Sequence, residues 1–142
     1  MRDTRIALFV HLVWATWNRE PLLVGEVERR VYRSFEATCA ALDVEILALG
    51  GVADHIHLLV RLPATLAVAA LVKRLKGASS HLVTHEITPD AVFKWQGGYA
   101  AFSAGLKQLP ALTEYVRHQK QHHAAGTIYP IYEPSTPASE SA

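Results

Sequence analysis

Apolar and polar positions follow two periods along the chain. Arg5 to Thr16 (RIALFVHLVWAT) is rich in β-branched and aromatic residues, which predicts a mostly buried strand, and a polar turn through Asn18 to Pro21 follows it. From Glu26 to Leu42, the positions Val27, Val31, Phe35, Thr38 and Leu42 recur at helical spacing with charges between them, the pattern of an amphipathic helix. Val44 to Val52 predicts a second strand, the Asp54 region a turn and His55 to Leu62 (HIHLLVRL) a third strand, so the two form an antiparallel pair. Pro63 ends that strand. Thr65 is placed to cap a helix reaching about His85 through Leu66, Ala69, Val72, Leu75 and Leu82, and Pro89 stops any continuation. Ala91 to Ser103 (AVFKWQGGYAAFS) sets aromatic residues around Gly97 and Gly98, which predicts a loop or bulged strand. A last helix is predicted from Pro110 to about His123.

This order of elements implies an α+β fold, a mainly antiparallel sheet with helices packed on one face and the other face left for chemistry. At 142 residues the chain suits one domain with a real core. The domain is expected over residues 1–126. Beyond Gly126 the composition turns to Pro, Ser, Thr and Ala, and residues 127–142 are expected to form a C-terminal tail, disordered in part.

Composition narrows the class. Half the residues are apolar, yet no run approaches the roughly 20 uninterrupted apolar residues of a membrane-spanning helix. The first segment lacks a small-residue cleavage site, so a cytoplasmic protein without membrane contact is expected. The single cysteine, Cys39, falls within the helical pattern and is expected to be a small buried side chain. A net charge of +1 conceals an uneven distribution: residues 1–60 hold six Arg/Lys against eight Asp/Glu, and residues 61–125 hold eight against three. The basic middle segment can face phosphates, or Lys73, Arg74 and Lys76 can form an ordinary solvated helix face.

Two small constellations carry chemistry. On a strand, alternation sends Ile56, Leu58 and Val60 toward a helix-covered core and leaves His55, His57, Leu59 and Arg61 on the opposite face. Histidines two apart on one strand project in parallel from positions under about 7 Å apart and can share a metal; they can equally be sheet histidines donating to backbone or water. In Thr113 to His123 (TEYVRHQKQHH), Tyr115 and Gln119 lie four apart on one helical face. One short helix can so present a nucleophile and a metal ligand together, or a core tyrosine and a surface glutamine.

Taken together, these residues resemble the single-tyrosine HUH transposases, the small enzymes of the simplest bacterial insertion sequences and of REP-associated elements. His11 to Trp14, with Arg19 and Pro21, resembles the family's opening strand. The stretch Gly50-Gly51-Val52-Ala53-Asp54-His55-Ile56-His57-Leu58-Leu59-Val60 resembles its metal-binding strand–turn–strand. Leu75 to Ser80 resembles its Lys-Gly-x-Ser/Ala-Ser helix, Trp95 to Tyr99 its aromatic loop, and Tyr115 and Gln119 fall where the nucleophile and third ligand belong. The resemblance covers roughly residues 5 to 122. A departure is Trp17-Asn18-Arg19, where the family often has a basic cluster.

The resemblance implies a ferredoxin-like or RNA-recognition-motif-like HUH fold and a transposase that binds hairpin-bearing single-stranded DNA. It implies cleavage through Tyr115 to a 5′-phosphotyrosine, with Mg²⁺ or Mn²⁺ on His55, His57 and Gln119, and a homodimer with shared active sites. Two neutral imidazoles and an amide oxygen bring no negative charge, so the cation is expected to be held loosely until a phosphate oxygen joins it. Arg61, Lys73, Arg74 and Lys76 are candidates for phosphate contacts, and Trp95 and Tyr99 for base stacking. Two other readings are a domesticated nucleic-acid-binding regulator or processor of repeat palindromes, and a small metal-dependent hydrolase in which Tyr115 is structural.

Overall fold

Among the described residues four strands, β1 (Leu8–Ala15), β2 (Glu45–Val52), β3 (His55–Leu62) and β4 (Ala100–Ala104), form one sheet in the spatial order β2-β3-β1-β4, antiparallel throughout. The structure, a computed structural model, describes residues 3–87 and 93–134. β1 is a central strand, which explains why its sequence is apolar almost without interruption: residues on both of its faces are covered. The predicted third strand has the bounds of β3, and the predicted second strand begins one residue before β2.

Helices α1 (Gly25–Ala41) and α2 (Val68–Leu82) cover one face. Val31, Phe35 and Cys39 from α1 and Leu71, Val72 and Leu75 from α2 pack on Leu12, Trp14, Ile56, Leu58 and Val60. Cys39 is buried as expected, and burial pushes its thiol up to about 11. Thr65 does not cap α2. Pro63 to Leu66 makes a turn of its own, with the Leu66 N–H on the Pro63 carbonyl, so the helix starts at Val68 after Ala67 without a side-chain cap. A π-helical turn, Val83–Ile87, carries the chain past the last α-helical residue. The expected stop at Pro89 and the first two residues of the aromatic loop, Ala91 and Val92, lie outside the described residues.

The second face is not left open. The predicted C-terminal helix is two helices, α3 (Leu109–Arg117) and α4 (Gln119–Ala125), broken at His118, whose φ of −109° and ψ of 37° leave the helical region. There the Glu114 carbonyl accepts from both the backbone N–H and the Nδ1 of His118. Leu112 and Val116 of α3 pack on Ala48 and Leu59, the face opposite to α1 and α2. Gly50 makes this docking possible: a Cβ there would stand 2.0 Å from the Val116 carbonyl oxygen, so only glycine admits the helix backbone so close to the strand. Arg117 donates to the Leu47 carbonyl, and Lys120 bridges the Gly51 carbonyl and Glu28. Residues 127–134 fold back over this face, including a 3₁₀ turn at Pro130–Tyr132, and residues 135–142 lie outside the described residues.

Candidate active site and metal centre

Strand alternation does what the sequence predicts at the histidine pair. Ile56, Leu58 and Val60 enter the α1–α2 core, while His55 and His57 project to the other face and are fully buried beneath α3, α4 and the returning segment. Their ring centroids are 5.2 Å apart. A carboxylate that the sequence reading did not single out meets them: Glu133 brings Oε1 to 3.1 Å from His55 Nε2 and Oε2 to 3.4 Å from His57 Nε2. One ligand atom from each of the three converges within 4.8 Å. His55 Nε2, His57 Nε2 and Glu133 Oε1 are buried and, despite their closeness, make no aligned hydrogen bond among the described residues. Two imidazole nitrogens and a carboxylate oxygen so turned toward one another are a donor set that fits a divalent cation. A donor set of His55, His57 and Glu133 would carry negative charge, unlike the two imidazoles and an amide considered from the sequence.

Each imidazole is braced from behind, and differently. His55 Nδ1 lies 2.8 Å from Asp54 Oδ1, and Asp54 Oδ2 takes a hydrogen bond from Arg19 Nε at 3.1 Å. The positive φ of Asn18 and Arg19, 52° and 55°, bends the chain so that Arg19 meets Asp54. Burial works against a charge on His55, but the Asp54 and Glu133 carboxylates outweigh it and raise its pKa. His57 Nδ1 instead faces His11 Nε2 at 2.9 Å, and burial lowers the pKa of His57 to about 4 and that of His11 to about 3. Glu133, although burial opposes its charge, is held well below the usual carboxylate range by His55, His57 and Tyr115 around it.

The tyrosine predicted as nucleophile stands at this cluster. Its ring is fully buried, edge-on to His57 with centroids 5.7 Å apart and stacked on Tyr129 at 4.5 Å. The Tyr115 hydroxyl donates to Glu133 Oε2 at 2.5 Å and accepts the Tyr129 N–H at 3.0 Å. Burial and the Glu133 carboxylate raise its pKa to about 12, against the opposing pull of the Tyr129 N–H and Gln119. Burial and the neighbouring carboxylate thus disfavour the phenolate form of Tyr115 in this structure.

Gln119 shares the buried face of Tyr115, as the four-residue spacing predicts, but its amide is engaged elsewhere. Its Nε2 donates to the Tyr115 carbonyl at 2.9 Å, and its Oε1 is 3.2 Å from His123 Nε2, which itself lies 2.8 Å from Glu133 Oε1. Among the described residues, the side chain that converges with His55 and His57 is Glu133, while the Gln119 amide bonds to the Tyr115 carbonyl and approaches His123. The signal for Glu133 in the sequence was faint: Tyr129, Ile131 and Tyr132 precede it, an aromatic density unlike that of a disordered tail.

The expected DNA contacts divide. Lys73 and Arg74 are exposed on α2, across the sheet from the histidines. Lys76 is tied to the Gln96 and Gly98 carbonyls at 2.8 and 2.7 Å, so it clamps the aromatic loop to the helix. Trp95 is a core residue: it is 5% exposed, packs on Trp14, Phe35 and Phe93 and donates to Ser79 Oγ at 2.9 Å, which leaves no ring face for a base. In this chain the Lys76 helix and the aromatic loop are bonded to each other directly. Tyr99 is exposed, and Arg61, exposed on β3, donates to the Ile6 carbonyl. No helix among the described residues is long and apolar enough to cross a membrane.

Residues 4–119 match the family described as transposase IS200 like. The transposase for insertion sequence element IS200 of Salmonella typhimurium is 32% identical over 143 residues, 96% of this chain and 93% of that protein. A solved transposase structure from Deinococcus radiodurans superposes with a TM-score of 0.66 at 25% identity, over 86% of this chain and 98% of that one. A REP-associated tyrosine transposase, solved bound to a REP hairpin, superposes with the same TM-score at 15% identity over 96% of this chain and 91% of that one, a likeness of fold. Its strand-borne histidines, its buried tyrosine helix and these matches agree: the chain belongs to the IS200-like transposase family and is an enzyme of DNA cleavage and strand transfer.

Proposed function

We propose that the protein cuts and rejoins single-stranded DNA with Tyr115 as nucleophile. The observation that carries this reading is the Tyr115 hydroxyl standing against a carboxylate that also meets the unpartnered Nε2 atoms of His55 and His57. Tyr115 Oη loses its proton and attacks a backbone phosphorus; the Oη–P bond forms, the P–O3′ bond breaks, and the departing 3′ oxygen takes up a proton, so the proton released by the phenol is matched by the one gained at O3′. The products are a 5′-phosphotyrosine and a free 3′-hydroxyl. Another 3′-hydroxyl reverses the step and joins a new strand, and the bond energy is kept in the phosphotyrosine. Mg²⁺ or Mn²⁺ held by His55, His57 and Glu133 would polarise the scissile phosphate. Glu133 Oε2 gives up its bond to Oη as the phosphate approaches in line, because two anions do not share that place. His123 and Gln119 support Glu133 and the tyrosine helix from behind. Hairpin-bearing single strands are the proposed substrate; support comes from the structural likeness to the REP-associated transposase described as bound to a REP hairpin. Lys73, Arg74 and Arg61 are the proposed phosphate contacts, and Tyr99 the stacking residue.

Incubation with hairpin-bearing single strands and Mg²⁺ is expected to give a protein–DNA adduct that survives denaturing electrophoresis. Cleavage to free ends without any adduct would instead favour water as the attacking group, as in a metal-dependent hydrolase.

The proposed assembly is a homodimer whose chains exchange α3 and α4. Exchange would keep every contact of Leu112, Val116 and Tyr115 with the sheet, the condition for such swaps, and Gly105 opens the segment leading to α3. A heterodimer of Tyr115→Phe with His57→Ala then has one doubly defective site and one intact site, so cleavage is expected to return on mixing. Verified heterodimers without activity would place each site within one chain.

A further inference from the structure

The opening motif His11 to Trp14 has no part in the chemistry so far. Trp14 belongs to the core, but His11 points the other way. It lies on β1 opposite Leu59 of β3 and Phe102 of β4, is completely buried, and carries its ring between Tyr132 at 4.9 Å and Phe102 at 6.0 Å. Its Nε2 is 2.9 Å from His57 Nδ1, and its own Nδ1 is buried without a hydrogen-bond partner.

We propose that His11 is a positioning residue that fixes the tautomer of His57, accepting the His57 Nδ1–H so that the lone pair of His57 Nε2 points at the cation site. This inference rests on the metal-site reading above. The contact is between two ring nitrogens, so only one proton lies between them. If that proton belongs to His11, the proton of a neutral His57 sits on Nε2 and blocks ligation. If it belongs to His57, Nε2 is free and His11 carries its own proton on Nδ1. Free neutral imidazole has no reason to choose the ligating form, and metal-binding histidines are generally set in it by an acceptor behind the ring. For His55 that acceptor is Asp54. Among the described residues no carboxylate bonds to His57 Nδ1, and the atom on it is His11 Nε2. Tyr132 and Phe102 restrict the His11 ring to this orientation.

The test reads the proton directly. Long-range ¹H–¹⁵N spectra of the metal-free protein are expected to show His57 in the Nδ1–H form. His11→Phe keeps a ring of similar size but offers no acceptor; His57 should then shift toward the Nε2–H form, and Mn²⁺ affinity measured by calorimetry without DNA should fall by about ten- to a hundredfold. His11→Gln can place Oε1 where Nε2 was and is expected to restore both the Nδ1–H form and the affinity. His57 in the Nε2–H form in the wild type, or in the Nδ1–H form in a folded His11→Phe, overturns the proposal. If the spectra are as expected but the wild type binds no Mn²⁺, the metal-site reading fails instead, and with it the purpose given to His11. The wild-type spectrum decides the tautomer even if His11→Phe does not fold.

Discussion

Replacing Tyr115 by phenylalanine is expected to lower strand cleavage by at least about 10⁴-fold, the scale on which removal of an enzyme's nucleophile acts. The substitution keeps the ring that stacks on Tyr129 and meets His57 edge-on, and removes only the oxygen between Glu133 and the Tyr129 N–H. Loss of those two hydrogen bonds, one of them to a carboxylate, should cost about 2–4 kcal/mol, and the folded variant should bind hairpin DNA nearly as the wild type does. Initial rates on a labelled strand, with binding measured in parallel, check both halves. Normal cleavage by Tyr115→Phe would move the nucleophile elsewhere, and the phenols of Tyr129 and Tyr132 stand nearest to the same cluster.

The second large effect is expected at His57. His57→Ala removes one imidazole of the donor set and the atom to which His11 is bonded. Cleavage in Mg²⁺ should fall by roughly 10³-fold, because a Lewis-acid contribution of about 4 kcal/mol corresponds to three decades of rate. Calorimetry should find no Mn²⁺ binding. Glu133 refines this expectation. Because it brings a negative charge to the site, the wild type should bind Mn²⁺ without DNA, and added DNA should tighten binding little. Glu133→Gln should weaken DNA-free binding by at least about tenfold, a low bound for a ligand given what supporting residues alone cost, and should make affinity depend on DNA. Equal affinities of wild type and Glu133→Gln would remove Glu133 from the donor set.

The parts of this site that share one strand or one helix were legible in the chain. Alternation along β3 separates His55 and His57 from Ile56, Leu58 and Val60, because a strand can place side chains only on two faces. Helical spacing puts Tyr115 and Gln119 on one face, and the structure buries both. What joins distant segments was not legible. Glu133 lies beyond the last helix among Pro, Ser and Thr, and nothing in its neighbours' periodicity aims it at two histidines. His11 reads as one polar position in an apolar strand until pairing with β3 brings it beside His57. Trp95 and Lys76 resemble DNA contacts by residue type, but packing and backbone carbonyls claim them. The face expected to be free is covered for a related reason: the amphipathic stripe of α3 shows that it docks, but not on which side of the sheet.

Identification of the residue joined to DNA tests the central claim most directly. After reaction with a hairpin-bearing single strand and Mg²⁺, nuclease and protease digestion followed by mass spectrometry should find a nucleotide phosphate on the peptide containing Tyr115 and on no other. The 5′-phosphotyrosine account predicts that the modification maps to the Tyr115 oxygen and disappears in Tyr115→Phe. A modification on Tyr129 or Tyr132, or efficient cleavage with no modified peptide at all, would contradict it.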